Sequence, residues 1–96
     1  MISSISIEEL KSKLGHITVI DSRSIEKYND NHIEGAINIP CEKLILDPKK
    51  YLNFTETYYI YCQKGTKSVK LCMFLQKQGF KVVNIRGGYE SWILES

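Results

Sequence analysis

Four short strand-like segments alternating with helix-forming stretches predict an α/β fold: a small, mostly parallel β-sheet flanked by helices on both faces. Three observations carry that expectation. Ile17–Ile20, Ala36–Ile39, Tyr58–Tyr61 and Val82–Ile85 have the length and the β-branched or aromatic content of strands. The stretches between them hold capping residues, leucine-rich runs and glycine stops. The chain has 96 residues, near the common size for one core, so residues 1–96 are expected to form a single domain.

Ser6-Ile-Glu-Glu9 has capping-box spacing, Leu10 and Leu14 recur one turn apart, and Gly15 stops the helix. Ile17–Ile20 is a strand ending at Asp21. Ser24 caps a brief helix through Tyr28, which Asn29-Asp-Asn31 breaks. Ala36–Ile39 is the second strand, closed by Pro40. Cys41–Leu52 reads as one or two helical turns, with Pro48 suited to a helix start. After the third strand, Val69–Gln78 is rich in Leu, Met and Phe, and Gly79-Phe80 has the form of a helix C-terminus with its hydrophobic latch. Gly87-Gly88 then turns the fourth strand into a last helix carrying Trp92.

Composition narrows the classes. An apolar content of 43% and a charged content of 25% belong to a globular chain and argue against disorder. A net charge of +2 is too small to argue for nucleic acid or an anionic membrane. The start, MISSISIEELKSK, lacks the basic-then-apolar order of a signal peptide, and no apolar run approaches membrane-spanning length. A cytoplasmic location is therefore expected. The three cysteines are odd in number, with no CxxC pair and no Cys/His cluster at zinc spacing. Reduced thiols follow, with neither metal nor cofactor expected.

One segment stands out chemically: YYIYCQKGTKS, Tyr58–Ser68, runs an apolar strand into a cysteine. From Cys62 to Lys70 there are three lysines and no acid. In a parallel sheet, ligands bind beyond the carboxyl ends of the strands, where Cys62 falls. A turn just before a helix lets backbone N–H groups point at its sulfur, and Lys64 and Lys67 add positive potential; both favour the thiolate. Gly65 permits the backbone angles of a tight cradle. The position thus supplies a nucleophile and an anion pocket together. A cysteine after an apolar strand is by itself more often packing than chemistry, and that reading holds for Cys72 inside Leu71–Leu75. Cys41, after Pro40 at a strand end, could be exposed and open to a secondary thiol role.

Three segments, taken together, resemble the single-domain rhodaneses, a sulfurtransferase family, over about Ile5 to Leu94. In VIDSRSIEKYNDNHIEGAINIP, the residues Asp21, Arg23, His32, Gly35, Ala36, Asn38 and Pro40 occupy the matching places. In YYIYCQKGTKSVKLCMFLQKQGF they are Cys62, Gly65 and Ser68, and NIRGGYESWI resembles the closing Gly-Gly-x-x-x-Trp element. The resemblance implies one rhodanese-like domain and a ping-pong reaction through a Cys62 persulfide. The donor would be thiosulfate or a similar anion, and the acceptor cyanide, a dithiol or a protein thiol. Loop amides from Gln63 through Lys64, Gly65, Thr66 and Lys67 to Ser68 would hold the persulfide, with Lys64 and Lys67 binding the donor. Asp21 is expected to bond backbone near the active loop. Arg23 either reaches the anion or pairs with Glu26 or another acid. His32 is expected to be a structural hydrogen-bonding residue, Trp92 a core or helix anchor, and the chain a monomer.

The sequence departs from that family where Lys67 stands in place of a frequent arginine, a point charge without a planar fork. Asn31 and Glu34 replace the usual glycine and proline around the histidine motif and read as loop tolerances. Rival functions remain. Phosphatase or arsenate-reductase chemistry uses C-x5-R, but the residue at that place is Ser68, which carries no charge. A persulfide carrier or partner-binding module with weak small-molecule activity needs the same Cys62. An inert interaction module usually lacks the cysteine.

Overall fold

The computed structural model of the chain describes residues 2–95. Five strands form one sheet: β1 (Ser3–Ile5), β2 (Thr18–Asp21), β3 (Ile37–Asn38), β4 (Thr57–Tyr61) and β5 (Lys81–Ile85), in the order β1-β5-β4-β2-β3. All four pairings are parallel, so the sheet goes beyond the mostly parallel arrangement expected. Five helices connect the strands, α1 (Ile7–Lys13), α2 (Ile25–Asp30), α3 (Cys41–Leu46), α4 (Pro48–Tyr51) and α5 (Thr66–Lys77), and α6 (Gly88–Glu95) follows β5. Among the described residues no helix is long and apolar enough to cross a membrane.

Alternation along the strands feeds two cores. Ile20, Tyr58, Ile60 and Val82 point to the face covered by Leu44 of α3 and by Leu71, Cys72 and Leu75 of α5. Val19, Tyr61 and Ile85 point to the other face, with Ile7 and Leu10 of α1 and Tyr89 of α6. Burial on both faces explains why β2, β4 and β5 read as near-continuous apolar runs.

The capping signals act as their chemistry predicts. Ser6 Oγ accepts the Glu9 N–H (3.1 Å), and the Glu9 carboxylate accepts the Ser6 N–H (3.0 Å). That reciprocal bonding draws the exposed Glu9 carboxyl below its ordinary value. At the end of α5, Gly79 takes a φ of +100°, and the Phe80 N–H returns to the Leu75 carbonyl (3.1 Å), seating the Phe80 ring in the core.

Two differences matter. The strand β1 was not expected, because Ser3-Ser4-Ile5 is short and half polar, and its partner Val83–Ile85 lies at the far end of the chain. Helix α5 begins at Thr66 rather than Val69, which brings Lys67 and Ser68 into its first turn. Cys62 directly follows the central strand β4 and precedes that helix.

Candidate active site

The segment Cys62–Ser68 folds back on its own sulfur. Cys62 Sγ accepts the N–H of Gly65 at 3.0 Å and the N–H of Ser68 at 3.3 Å, and its thiol donates to Ser68 Oγ at 3.3 Å. Ser68 Oγ–H in turn donates to Asn84 Oδ1 on β5 (2.6 Å). The ring of loop amides expected from Gln63 to Ser68 thus narrows, at the sulfur itself, to two. Both belong to the turn into α5, where N–H groups lack helical partners and favour negative charge.

Glycines bring a second turn against this loop. Gly65 has a φ of +92°, and a Cβ there would lie 2.8 Å from the Gly87 nitrogen. A Cβ on Gly88 would lie 2.3 Å from the Cys62 carbonyl oxygen. That close approach lets the Tyr89 N–H donate to the Cys62 carbonyl (2.9 Å) and the Glu90 N–H to the Gln63 carbonyl (3.0 Å). The start of α6 therefore fixes the cysteine loop from behind.

Cys62 is 5% exposed, yet it opens onto a pocket of about 210 Å³ lined by Ser22, Arg23, Ser24, Lys27, Cys41, Glu42, Gln63 and Lys67. Lys67 faces this space with Cys62. Lys64 does not: it lines a neighbouring depression with Lys27, Gln63, Tyr89 and Glu90. Thr66 lies exposed on the first turn of α5, and neither Thr66 nor Gly65 lines the pocket. Lys67 and Lys27, on two different helices, line the pocket together with Arg23, and Glu42 adds one negative charge. A wider hollow of about 460 Å³, lined by Gly15, His16, Thr18 and Glu56, sits at the opposite end of the strands and holds no cysteine.

Arg23 and Asp21 form a buried ion pair at the pocket wall. Arg23 Nε donates to both Asp21 oxygens (3.1 Å), and Nη2 donates to Asp21 Oδ2 (2.8 Å) and to the Asn31 carbonyl (2.6 Å). Nη1 donates to Gln63 Oε1 (3.1 Å). Four of the five guanidinium N–H groups thus have protein partners, and the plane lies 4.1 Å from the Tyr89 ring centre. Burial works against this charge, but the hydrogen bonds and charge of Asp21 outweigh it and raise the Arg23 pKa. The acid that pairs with Arg23 is therefore Asp21 and not Glu26. Among the described residues the Asp21 carboxylate bonds main chain at the Arg23 N–H (2.9 Å) rather than within the active loop; its link to the loop runs through Arg23 to Gln63. Tyr61 O–H also donates to Asp21 (2.6 Å), and burial together with that bond raises the phenol far above its ordinary range.

His32 stacks on Tyr28, centroids 3.8 Å apart, with Nδ1 2.8 Å from the Tyr28 carbonyl, in keeping with a structural residue. Trp92 is part-buried against the second core. Two contributors escaped the sequence reading. Lys27 was legible in principle, since it follows the Ser24 cap at the carboxyl end of β2. Asn84 is a polar residue inside Val82-Val-Asn-Ile85, and a buried polar group requires a partner.

A family model described as Rhodanese-like domain matches residues 6–95. The chain belongs to the rhodanese-like family. A solved structure of a rhodanese-related protein from Thermoplasma volcanium superimposes with a TM-score of 0.89 at 31% identity, over 98% of this chain and 93% of that one. The Bacillus subtilis (strain 168) protein YtwF, provisionally named a sulfurtransferase, is 32% identical over 94 residues, covering 95% of this chain and 90% of its own. YrkF of the same organism, provisionally named a sulfur carrier protein, is 34% identical over 95 residues, 95% of this chain and 51% of its own. The chain spans about half of that relative, and only 20% of a Porphyra purpurea protein with the provisional name molybdopterin-synthase adenylyltransferase, to which it is 36% identical over 78 residues. This rhodanese-like chain thus shares its fold with domains that also occur inside longer proteins.

Proposed function

We propose that the chain, residues 1–96, is one catalytic domain that moves a sulfane sulfur from thiosulfate or a similar anionic donor to a thiophilic acceptor. The observation that carries this reading is the placement of Cys62 Sγ. It accepts two backbone N–H bonds at the start of α5 and opens onto a pocket whose lysines, Lys27 and Lys67, come from separate elements. The names of YtwF and YrkF support sulfur transfer or carriage as the class of chemistry.

In the first half-reaction the Cys62 thiolate attacks the outer sulfur of thiosulfate. The S–S bond of the donor breaks, sulfite leaves with the electron pair, and Cys62 becomes a persulfide anion. Lys67 and Lys27 hold the sulfonate of the dianion, while Gly65 and Ser68 hold the sulfur in line. In the second half the acceptor, cyanide or a thiol, takes the outer sulfur and returns Cys62 to the thiolate. Arg23 is a positioning residue: held by Asp21, it fixes the Gln63 side chain at the pocket wall.

A second reading, a persulfide carrier serving a protein partner in a sulfur relay, draws on the YrkF and adenylyltransferase names. Intact-mass analysis after incubation with thiosulfate tests the core claim. One added sulfur atom is expected on the wild type and none on Cys62→Ser; equal adducts on both proteins would remove Cys62 from the reaction. Faster discharge of the persulfide to a protein thiol than to cyanide would favour the carrier reading, and the reverse order the thiosulfate enzyme. The chain is placed in the cytoplasm in either reading, where thiols stay reduced.

A further inference from the structure

Two of the three thiols face one space. Cys41, the first residue of α3, lines the same pocket of about 210 Å³ as Cys62. Main-chain bonds fix it there. The Cys41 N–H donates to the Ser22 carbonyl (3.0 Å), and the Ser22 N–H and Oγ–H both donate to the carbonyl of Tyr61 (3.0 and 2.8 Å), the residue before Cys62. Ser22 therefore stands between the two cysteines, with the pocket open to both side chains. The exposures differ: Cys62 is buried, whereas Cys41 is part-exposed. Burial and the neighbouring Glu42 carboxylate raise the Cys41 pKa, with Lys67 acting in the opposite direction. A thiol so held stays protonated at neutral pH.

We propose that Cys41 is a second station for the sulfane sulfur, taking it from the Cys62 persulfide across the shared pocket and presenting it nearer the surface. This rests on the reading of Cys62 given above. In the step, Cys41 passes its proton to the outer sulfur of the persulfide anion, and the Cys41 thiolate attacks that same sulfur. A bond forms between Cys41 Sγ and the outer sulfur as the bond from that sulfur to Cys62 Sγ breaks, and the electron pair returns to Cys62 as thiolate. One S–S bond is made, one is broken and one proton moves, so neither oxidant nor reductant is required. The competing attack on Cys62 Sγ would expel hydrosulfide and close a disulfide, which needs Cα atoms within about 7 Å. The intervening Ser22 works against that approach, whereas the persulfide extends the reach of Cys62 by one S–S bond. The gain is access: a bulky acceptor thiol meets Cys41 at the pocket rim without having to reach the buried Cys62.

The test uses the digestion pattern of the chain, because trypsin puts Cys41, Cys62 and Cys72 on separate peptides, residues 28–43, 51–64 and 71–77. Wild-type protein is given one equivalent of thiosulfate without oxygen, trapped with iodoacetamide at increasing times, digested and weighed. The outer sulfur is expected on peptide 51–64 first and then on 28–43 at its expense, with 71–77 unloaded. In Cys41→Ser it stays on 51–64, and in Cys62→Ser peptide 28–43 remains unloaded. An outer sulfur that never leaves 51–64 in the wild type would overturn the proposal while leaving the Cys62 reading intact. A 28–43/51–64 disulfide with hydrosulfide release, or direct loading of Cys41 in Cys62→Ser, would overturn it as well. No outer sulfur on any wild-type peptide would bring down the Cys62 reading and this one with it.

Discussion

Ser68 Oγ has one proton and two neighbours that can take it, Cys62 Sγ at 3.3 Å and Asn84 Oδ1 at 2.6 Å. With a neutral thiol the chain of donation runs from sulfur to Ser68 to Asn84; an anionic sulfur draws the Ser68 proton toward itself. Ser68→Ala removes that choice and leaves the buried Asn84 carbonyl unpaired, so a stability loss of about 1–3 kcal/mol is expected in urea unfolding, with slower persulfide formation in stopped-flow. Wild-type stability in that variant would mean that Asn84 finds another donor. The lysines separate in the same way. A lost charge-assisted contact of about 1.5–3 kcal/mol corresponds to roughly 10- to 100-fold in donor binding, so Lys67→Ala should raise KM for thiosulfate by about that factor. Lys64→Ala, outside the pocket, should leave KM within about twofold; equal effects of the two changes would show that the donor sits elsewhere. The sequence alone gave both lysines the same role, because a three-residue separation in a loop does not reveal which side chain turns inward. Cys62 was legible for the opposite reason: strand end, glycine and helix start all converge on it.

The turn Gly87-Gly88, read from sequence only as a bend into the last helix, braces the cysteine loop from behind. What hid this was distance along the chain, since its partners, Cys62 and Gly65, are more than twenty residues away and no local pattern reports such an approach. Most of the helices and four of the strands were legible, because capping boxes, glycine stops and β-branched runs act within a few residues. The edge strand β1 was not, being defined by its pairing with β5. Gly88 has a φ of +60°, and an added Cβ would lie 2.3 Å from the Cys62 oxygen, an atom of backbone that cannot swing aside. Gly88→Ala should therefore displace the Cys62 loop, break the Tyr89 and Glu90 bonds to it and cut turnover by well over tenfold. Gly15→Ala is the control: it shares a positive φ but meets nothing within 4 Å, so it should cost stability through backbone strain while sparing turnover. Equal activity in the two variants would mean that the α6 turn does not shape the site.

Across the whole molecule, polar groups are buried where elements meet. Asp21 and Arg23 join β2 to Tyr61 of β4, to the Asn31 carbonyl beyond α2, and to the ring of Tyr89 on α6. The two cores hold further titratable groups in their neutral forms, and this couples stability to pH. Burial pushes the Cys72 thiol from 9.0 up to about 12, the Cys62 charge adding to the effect. Burial and the Asp21 bond likewise raise Tyr61 from 10.0. A folded-state pKa above the unfolded value means that the folded chain keeps a proton the unfolded chain releases. Each contribution is thus present in full below the unfolded value and is lost as pH rises through the folded one: from pH 9.0 toward about 12 for Cys72, and from 10.0 upward for Tyr61. Urea unfolding under reducing conditions should accordingly weaken from pH 9 upward. Cys72→Ala isolates one thiol from that slope. It should be less stable than wild type at pH 7 by about 1 kcal/mol, since a sulfur leaves a small void in a packed core. Its stability should then fall less steeply above pH 9, so that the gap between the two proteins narrows as pH rises. Parallel curves would show that Cys72 ionises as freely folded as unfolded, and that α5 packs less tightly on the sheet than its burial implies.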